Sequence, residues 1–277
     1  MVTYNHARYI ARAIESVLMQ RTSFDYRLVI GDDCSTDGTT DIVKRYQATH
    51  PGAITAVCQT KNVGAMRNAY ESALPLCTGR YIACLEGDDY WTDPDKLQQQ
   101  VDFLEANPDY ALCFHRVVLS YPRTVANLFR RRRSSGRLAP TLTIADLCRR
   151  NFIYTASCMV RNHRSDVLPP WFDRVTPLDW PYFVLAARHG KIGFINETMA
   201  VYRIHQTGAW GGAPAMSKWL REIEMLRLLS DHLGRPDCQP AIDEAIRERE
   251  DAIAGLPRKR TMMQTIAACI GKARGRG

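Results

Sequence analysis

Long hydrophobic runs are missing from this chain of 277 residues. Its nearly apolar stretches, such as Ile153 to Val160, fall far short of the ~20 residues that a membrane helix requires. No charged-then-apolar segment opens the chain, so export by a signal peptide is not expected. No C-x-x-C pair occurs among the nine cysteines (Cys34, Cys58, Cys77, Cys84, Cys113, Cys148, Cys158, Cys238 and Cys269). An odd, scattered set of this kind reads as reduced thiols in a cytosolic protein, neither a disulfide framework nor a zinc site. Repeats of 20–50 residues are absent. Three catalytic or phosphate-binding loops are absent as well. Without G-x-G-x-x-G after a strand there is no dinucleotide fold, and without G-x-x-x-x-G-K-[ST] no P-loop enzyme. Without G-x-S-x-G there is no esterase elbow.

What is present suits a soluble globular protein: 45% of residues are hydrophobic and 24% charged, which leaves room for one large α/β domain or two small ones. The net charge of +8 is unevenly spread. Residues 1–115 hold 10 Lys and Arg against 15 Asp and Glu, whereas residues 116–277 hold 27 against 14. The acidic half contains clustered carboxylates. The basic half contains Arg130-Arg131-Arg132-Arg133 and a tail with Arg258, Lys259, Arg260, Lys272, Arg274 and Arg276 and no acid. Such polarity fits a metal or polar substrate on one side and an anionic partner on the other.

The first half alternates helix and strand. Tyr9 to Met19 places Ile10, Ala13, Ile14, Val17 and Leu18 on one helical face. Tyr26 to Ile30 reads as a strand running into Gly31-Asp32-Asp33, and Ser35-Thr36-Asp37-Gly38 can cap the following helix. Ile54–Cys58 is another strand, and Gly64 to Pro75 a helix expected to turn Ala65, Ala69, Ala73 and Leu74 inward. Arg80 to Leu85 looks like a buried strand ending in Glu86-Gly87-Asp88-Asp89, after which Asp93-Pro94 opens a helix carrying Leu97, Val101 and Leu104. This alternation predicts parallel strands covered by helices, with ligands gathered beyond the strands' carboxyl ends, where both acidic clusters lie. In the second half, residues 120–140 read as an arginine-rich loop. Strands are expected at Ser157 to Val160 and Ile192 to Ile195, and helices at Asp179 to His189, Met216 to Leu233 and Pro240 to Ala254.

Two adjacent carboxylates such as Asp88 and Asp89 repel one another unless a cation sits beside them. Hard oxygen ligands suit Mg²⁺ or Mn²⁺, with substrate phosphates completing the shell; a solvated acidic turn is the plainer alternative. Asp33, Ser35, Asp37 and Gly38 resemble the start of a calcium loop, but its twelfth position is Lys44 where a bidentate Glu would stand. Calcium is therefore excluded, and a carboxylate facing the N–H edge of a base is the other reading.

Val2-Thr3-Tyr4-Asn5-His6, Leu28 to Gly38, Lys61-Asn62-Val63-Gly64, Arg67-Asn68 and Glu86 to Trp91 stand in the order seen in family 2 glycosyltransferases. The chain resembles the inverting, GT-A fold enzymes of bacterial polysaccharide assembly, densely over residues 1–115. The likeness continues more thinly through Tyr154 to Asn162, Leu178-Asp179-Trp180 and Tyr202-Arg203-Ile204-His205. The resemblance implies an α/β fold: a mixed, mainly parallel sheet flanked by helices, with a helical C-terminal extension. By the same resemblance Thr3 and Tyr4 would line the nucleoside pocket and Asp33 (or Asp32) would accept the uracil N–H. Asn62 and Arg67 would sit near the nucleotide. Asp89 would be the direct metal ligand, with Asp88 closer to the ribose or sugar. Asp179 would be the catalytic base, and Arg203 and His205 would reach the diphosphate or the metal. Asp179 could instead cap its helix, and His205 could be a surface histidine. Trp91, Trp180 and Trp210 could stack on sugar or belong to the core, and His6, His50, His115, His163, His189 and His232 have no assigned role. One departure from the resemblance is that only Met1-Val2 precede Thr3 where a full strand is usual; a start placed too late is expected rather than a shortened strand.

The expected organisation is a GT-A domain over 1–212, with a nucleotide-sugar half to about 115 and an acceptor half beyond, then a helical extension over 213–256 and a basic tail over 257–277. The expected function is metal-dependent transfer of a sugar from a nucleotide-sugar, a UDP-sugar first, to a glycan or lipid-linked acceptor in surface polysaccharide synthesis. The rivals are a non-catalytic nucleotide-sugar-binding protein of the same fold and a sugar nucleotidylyltransferase, whose Gly-rich N-terminal loop is absent from Met1 to Met19. No base-reading module accompanies the basic runs, so no specific nucleic acid is expected. Met262, Met263, Ile266 and Ile270 lie at near-helical spacing between basic ends, which suits peripheral contact with the inner face of the cytoplasmic membrane; a solvated tail is the alternative.

Overall fold

The computed structural model describes residues 1–121, 138–163, 167–205 and 214–256, together with the backbone of Arg131–Arg133. Arg130, Trp210 and the tail at 257–277 lie outside the described residues.

Three parallel strands begin the fold: β1 (Val2–Thr3), β2 (Leu28–Asp32) and β3 (Ile54–Cys58), in the order β1-β2-β3. Every residue of β2 is buried, as befits a continuous apolar run covered on both faces. Helix α1 (Ile10–Leu18) turns Ile10, Ala13, Ile14 and Val17 into the core, and α2 (Thr39–Thr49) follows a left-handed turn at Gly38, φ +97°. The expected helix after Gly64 is present but differently wound and phased. Arg67–Ala73 is wound in wide π turns and ends in a tight turn at Leu74–Leu76. Its inward residues are Asn68 and Ala73, while Ala65 is exposed. The phase is set by a polar anchor, since Asn68 Nδ2 donates to the Gly31 carbonyl at 2.9 Å.

The second sheet contains β4 (Tyr81–Ala83), β5 (Tyr90–Trp91), β6 (Tyr110–Ser120), β7 (Arg131–Arg133), β8 (Thr141–Leu142), β9 (Met159–Arg161) and β10 (Lys191–Arg203). Its spine runs β4-β9-β6-β10-β5, with β7 on β6 and β8 on β10. The long ladder of β6 with β10 is parallel, and the others are antiparallel. A single bridge, Val2 to Glu86, joins the two sheets, with Gly87 N donating to the Val2 carbonyl at 2.8 Å. Helix α3 (Lys96–Ala106) covers β6 with Leu97 and Leu104 buried. The mixed α/β architecture is thus the expected one, with four local corrections. β6 was not foreseen, β10 runs 13 residues instead of four, β4 is half-buried, and part of the arginine-rich stretch at 120–140 is a strand.

Helix α4 (Ile144–Arg149) opens with a capping box between Thr143 and Asp146, and α5 (Asp179–Ala186) follows. Helices α6 (Ala215–His232) and α7 (Gln239–Ala254) pack on this region. Met225, Leu226, Leu229, Ile242 and Ala245 share one core with Leu147, Phe172 and Trp180. Trp91 and Trp180 are both buried, and their indole N–H groups donate to the Ala156 and Leu147 carbonyls at 2.9 and 2.8 Å. Both are core residues, which removes them as sugar-stacking surfaces. Among the described residues no helix is long and apolar enough to cross a membrane.

Candidate active site

The site is built where β1, the loop after β4 and the end of β10 meet. Gly87 lies so close to β1 that a Cβ there would stand 2.5 Å from Thr3 Oγ1 and 2.8 Å from Thr3 Cβ. Only glycine allows that approach, which brings the Glu86–Asp89 turn against β1. The β10–β5 register, Ala200 with Trp91 and Val201 with Tyr90, then carries Arg203 and His205 over Asp88 and Asp89.

One carboxylate oxygen each from Glu86, Asp88 and Asp89 lies within 4.8 Å of the others. Asp89, 1% exposed, accepts from Arg203 N at 2.7 Å through Oδ1, while its Oδ2 is buried without a partner. Asp88 Oδ1 is likewise buried and unpartnered. Burial, then Asp88 and Asp179, pushes the Glu86 carboxyl up to about 8, and burial with Asp88 and Glu86 raises Asp89 well above the usual range. Burial would also raise Asp88. The hydrogen bond from His205 and the nearby His6 outweigh it and hold Asp88 below its ordinary value. Crowded, desolvated carboxylates with two orphaned oxygens fit a divalent cation taking hard oxygen ligands.

Around this trio stand the groups that face an anion or a proton. The Arg203 guanidinium donates to the Asp88 carbonyl and lies against the rings of Tyr90 and Tyr9, 4.4 and 5.0 Å from their centroids. His205 Nε2 is 2.8 Å from Asp88 Oδ2, which brings it to the acidic trio. Asp179 is the first residue of α5, with Leu178 at the cap position, and Asn151 Nδ2 reaches its Oδ2 at 3.4 Å. Burial raises its carboxyl above the ordinary value, against the amide N–H groups of Trp180 and Asp179 and the side chains of Asn151 and Thr155. Asp179 belongs to the same electrostatic neighbourhood as the trio: it adds to the rise at Glu86, and Tyr202 is raised by burial and then by Glu86, Asp89, Asp179 and Asp88.

Around the ends of β1 and β2, Tyr4 is exposed, and Asn5 holds the neighbouring loop by accepting from Thr36 N at 2.8 Å. Thr3 is buried, with Oγ1 3.1 Å from His6 Nδ1. Asp32 is fully buried and accepts from the hydroxyls of Ser35 and Thr40, both at 2.5 Å. Asp33 accepts from Val63 N and Gly64 N at 2.7 and 3.0 Å, and exposed Asn62 donates to the Asp33 carbonyl at 3.3 Å. Arg67 is exposed, pairs with Glu71 at 3.8 Å, and lines a cavity of about 1210 Å³ that Tyr70, Leu178 and Tyr182 also border. The acidic trio does not line that cavity, and of the residues assigned from the sequence only Arg67 does.

Three participants were not assigned from the sequence. Glu86 was legible as a third carboxylate two residues before Asp88. His6 carried a signal in its place directly after Thr3-Tyr4-Asn5. Tyr202 stood in the Tyr202–His205 segment of the resemblance without a role, and the β10–β5 pairing brings it near the acids.

The profile of glycosyl transferase family 2 matches residues 1–166. An uncharacterized protein of Mycobacterium tuberculosis is 38% identical over 213 residues, covering 76% of this chain and 60% of the relative. An uncharacterized glycosyltransferase of Nostoc is 29% identical over 209 residues, covering 73% and 62%. The chain therefore spans about three fifths of the length of these curated relatives. Among solved structures, Staphylococcus aureus TarS 1–349 in complex with UDP superposes with a TM-score of 0.63 at 17% identity, covering 94% of this chain and 72% of that one. The mannosyltransferase PcManGT from Pyrobaculum calidifontis, in complex with GDP-Man and Mn²⁺, gives 0.62 at 19% identity, covering 98% and 78%. At such identities the likeness is one of fold.

Proposed function

Because the chain belongs to glycosyltransferase family 2, we propose that it transfers a sugar, with inversion, from a UDP-sugar to a hydroxyl of a glycan or lipid-linked acceptor. The observation that carries this reading is the pair of buried, unpartnered oxygens, Asp88 Oδ1 and Asp89 Oδ2, set beside Arg203 and in the electrostatic range of Asp179. Glu86, Asp88 and Asp89 would hold Mg²⁺ or Mn²⁺, whose chemistry when bound is to neutralise charge on a diphosphate. Tyr9 and Tyr90 hold the Arg203 guanidinium in place for the same developing charge. Tyr4, Asp33 and Asn62 form the nucleoside edge, with Asp32 buttressing the loop beneath them.

Asp179 takes the proton from the acceptor hydroxyl. The acceptor oxygen bonds to C1 as the C1–O bond to the diphosphate breaks, and the electron pair leaves with the diphosphate. A carboxylate whose affinity for protons is raised by burial suits this role, and such base catalysis is worth about 10²–10⁴-fold. For the acceptor half, the basic tail from Arg258 to Arg276 supports work at an anionic lipid surface; liposome pelleting that is lost on deletion of residues 257–277 bears this out, and pelleting that is unchanged refutes it.

A thermal-shift screen of UDP-, GDP- and dTDP-sugars with and without Mn²⁺ tests the donor class, since stabilisation grows with ligand concentration over Kd. UDP-sugars with Mn²⁺ should give the largest shift. Asp179→Asn should keep that shift and lose transfer by about 10²–10⁴-fold. Retained transfer refutes the base assignment, and a shift without transfer in the unmodified chain, whatever acceptor is supplied, leaves a binding protein.

A further inference from the structure

Asp88 is gripped from one side only. His205 Nε2 stands 2.8 Å from Asp88 Oδ2, and His6 Nε2 stands 3.8 Å from the same oxygen. The two rings meet edge to face, 6.3 Å between centroids at 89°, with Tyr9 against both. On its other side His6 Nδ1 lies 3.1 Å from Oγ1 of Thr3, which is buried at the end of β1. The opposite oxygen, Asp88 Oδ1, is the buried atom without a partner, and it belongs to the trio with Glu86 and Asp89.

This is a one-sided brace. A carboxylate turns about its Cβ–Cγ bond with a broad, two-fold preference, so a single contact on Oδ2 would leave the Oδ1 direction loose. His205 holds Oδ2 at hydrogen-bond distance, and the His6 ring, 3.8 Å from the same oxygen, closes the space beside it and so limits that turning. The Thr3 contact in turn fixes the plane of the His6 ring and sets which of its nitrogens faces Thr3. Groups that orient metal-binding side chains in this way typically change metal affinity by about 10–100-fold when removed. We propose that His6, seated by Thr3, is a positioning residue that with His205 turns Asp88 Oδ1 towards a divalent cation shared with Glu86 and Asp89. The inference goes beyond the metal assignment and rests on it.

The test is direct Mn²⁺ binding to the full chain without donor, read from the loss of the free-ion EPR signal, for the unmodified chain, Asp89→Asn, His6→Phe, His6→Gln and Thr3→Val. Melting curves without metal verify folding. The expected result is binding by the unmodified chain, loss in Asp89→Asn, a fall of about tenfold or more in His6→Phe, and recovery of most of that loss in His6→Gln, whose side-chain amide keeps a polar group beside Asp88. Thr3→Val keeps the shape, removes the Oγ1 contact, and should weaken binding by a smaller factor. It also serves as the readout should His6→Phe fail to fold. Unchanged Mn²⁺ affinity in folded His6→Phe or, failing that, in Thr3→Val overturns the positioning role while leaving the metal site standing. Equal weakening in His6→Phe and His6→Gln also overturns it, because size alone would then explain the effect. Absence of Mn²⁺ binding by the unmodified chain overturns both.

Discussion

The same tripeptide, Gly-Asp-Asp, ends two segments of this molecule and meets two fates. At Gly31-Asp32-Asp33 every carboxylate oxygen is used inside the protein: the Ser35 and Thr40 hydroxyls donate to Asp32, and the Val63 and Gly64 amides donate to Asp33. At Gly87-Asp88-Asp89 one oxygen of each carboxylate is buried with nothing to accept from. A buried polar group without a partner costs free energy that folding does not recover. The first pair is thus a fastening that holds loops together. The second keeps two buried oxygens free to accept, which fits the proposed cation. The difference is made by the neighbours: Ser35, Thr40 and the 63–64 amides supply donors to one loop, while the end of β10 and the residues just after it supply Arg203 and His205 to only one side of the other.

The largest expected effect breaks the second pair. Asp89→Asn should lower transfer by at least about a hundredfold, the scale of removing one group that stabilises developing charge. Its metal-free melting temperature should stay level or rise, because a desolvated carboxylate is gone; a large fall in stability would make Asp89 a fastening like the first pair. Next is Asp32→Asn, which turns an acceptor on the Ser35 and Thr40 hydroxyls into a donor. A loss of about 1–3 kcal/mol is expected, or roughly 2–4 °C of melting temperature per kcal/mol for a chain of this size class, with Mn²⁺ affinity unaltered. Unchanged melting would dissolve the contrast.

Next is Lys96→Met, whose effect is read only as a dependence on pH. Lys96 is fully buried, its Nζ has no hydrogen-bond partner, and it lies 3.8 Å from the centroid of the Trp91 ring. Burial pulls it down to about 7 from an ordinary 10.5. The unfolded chain therefore holds this proton between about pH 7 and 10.5 while the folded chain does not, and Lys96 adds stability as pH rises through that window. Relative to Lys96→Met, the unmodified chain should gain stability between pH 7 and 10; parallel curves refute this. The smallest effect comes from Glu86, raised to about 8 from 4.5. Here the folded chain holds the proton longer, so the Glu86 contribution falls as pH rises from about 4.5 to 8. Mn²⁺ should flatten the part of this slope that Glu86→Gln removes, and an unaltered slope would separate Glu86 from the cation.

Much of the frame was legible because local signals agreed. Ile54–Cys58 was read to the residue, and α6 and α7 to within one residue at each end, from uninterrupted periodicity between breakers. β6 was missed although Asn107-Pro108-Asp109 and Pro122 bracket it, because His115-Arg116 break its apolar run; Arg131–Arg133 shows no apolar alternation, and the β6 ladder is what makes it a strand. The wide helix at Arg67–Ala73 was misphased because its anchor is a hydrogen bond from Asn68 to another strand. For the site, motif order brought Asp88, Asp89, Asp179, Arg203 and His205 into view. Which Asp-Asp pair is saturated could not be read, since Asp33 depends on donors 30 and 31 residues away and Asp88 and Asp89 on groups 114 and 117 away, while only Asp32 finds its donors nearby, at Ser35 and Thr40. His6 stood in plain sight but gained a role only once Thr3 and Asp88 were seen on either side of it.

The most direct measurement is anomalous diffraction from crystals grown with UDP and Mn²⁺. The expected result is a manganese peak in contact with Asp89 Oδ2 and Asp88 Oδ1, with UDP phosphate oxygens completing the ion's shell. UDP bound in the crevice while those two oxygens stay unpartnered, or manganese seated elsewhere, would contradict it.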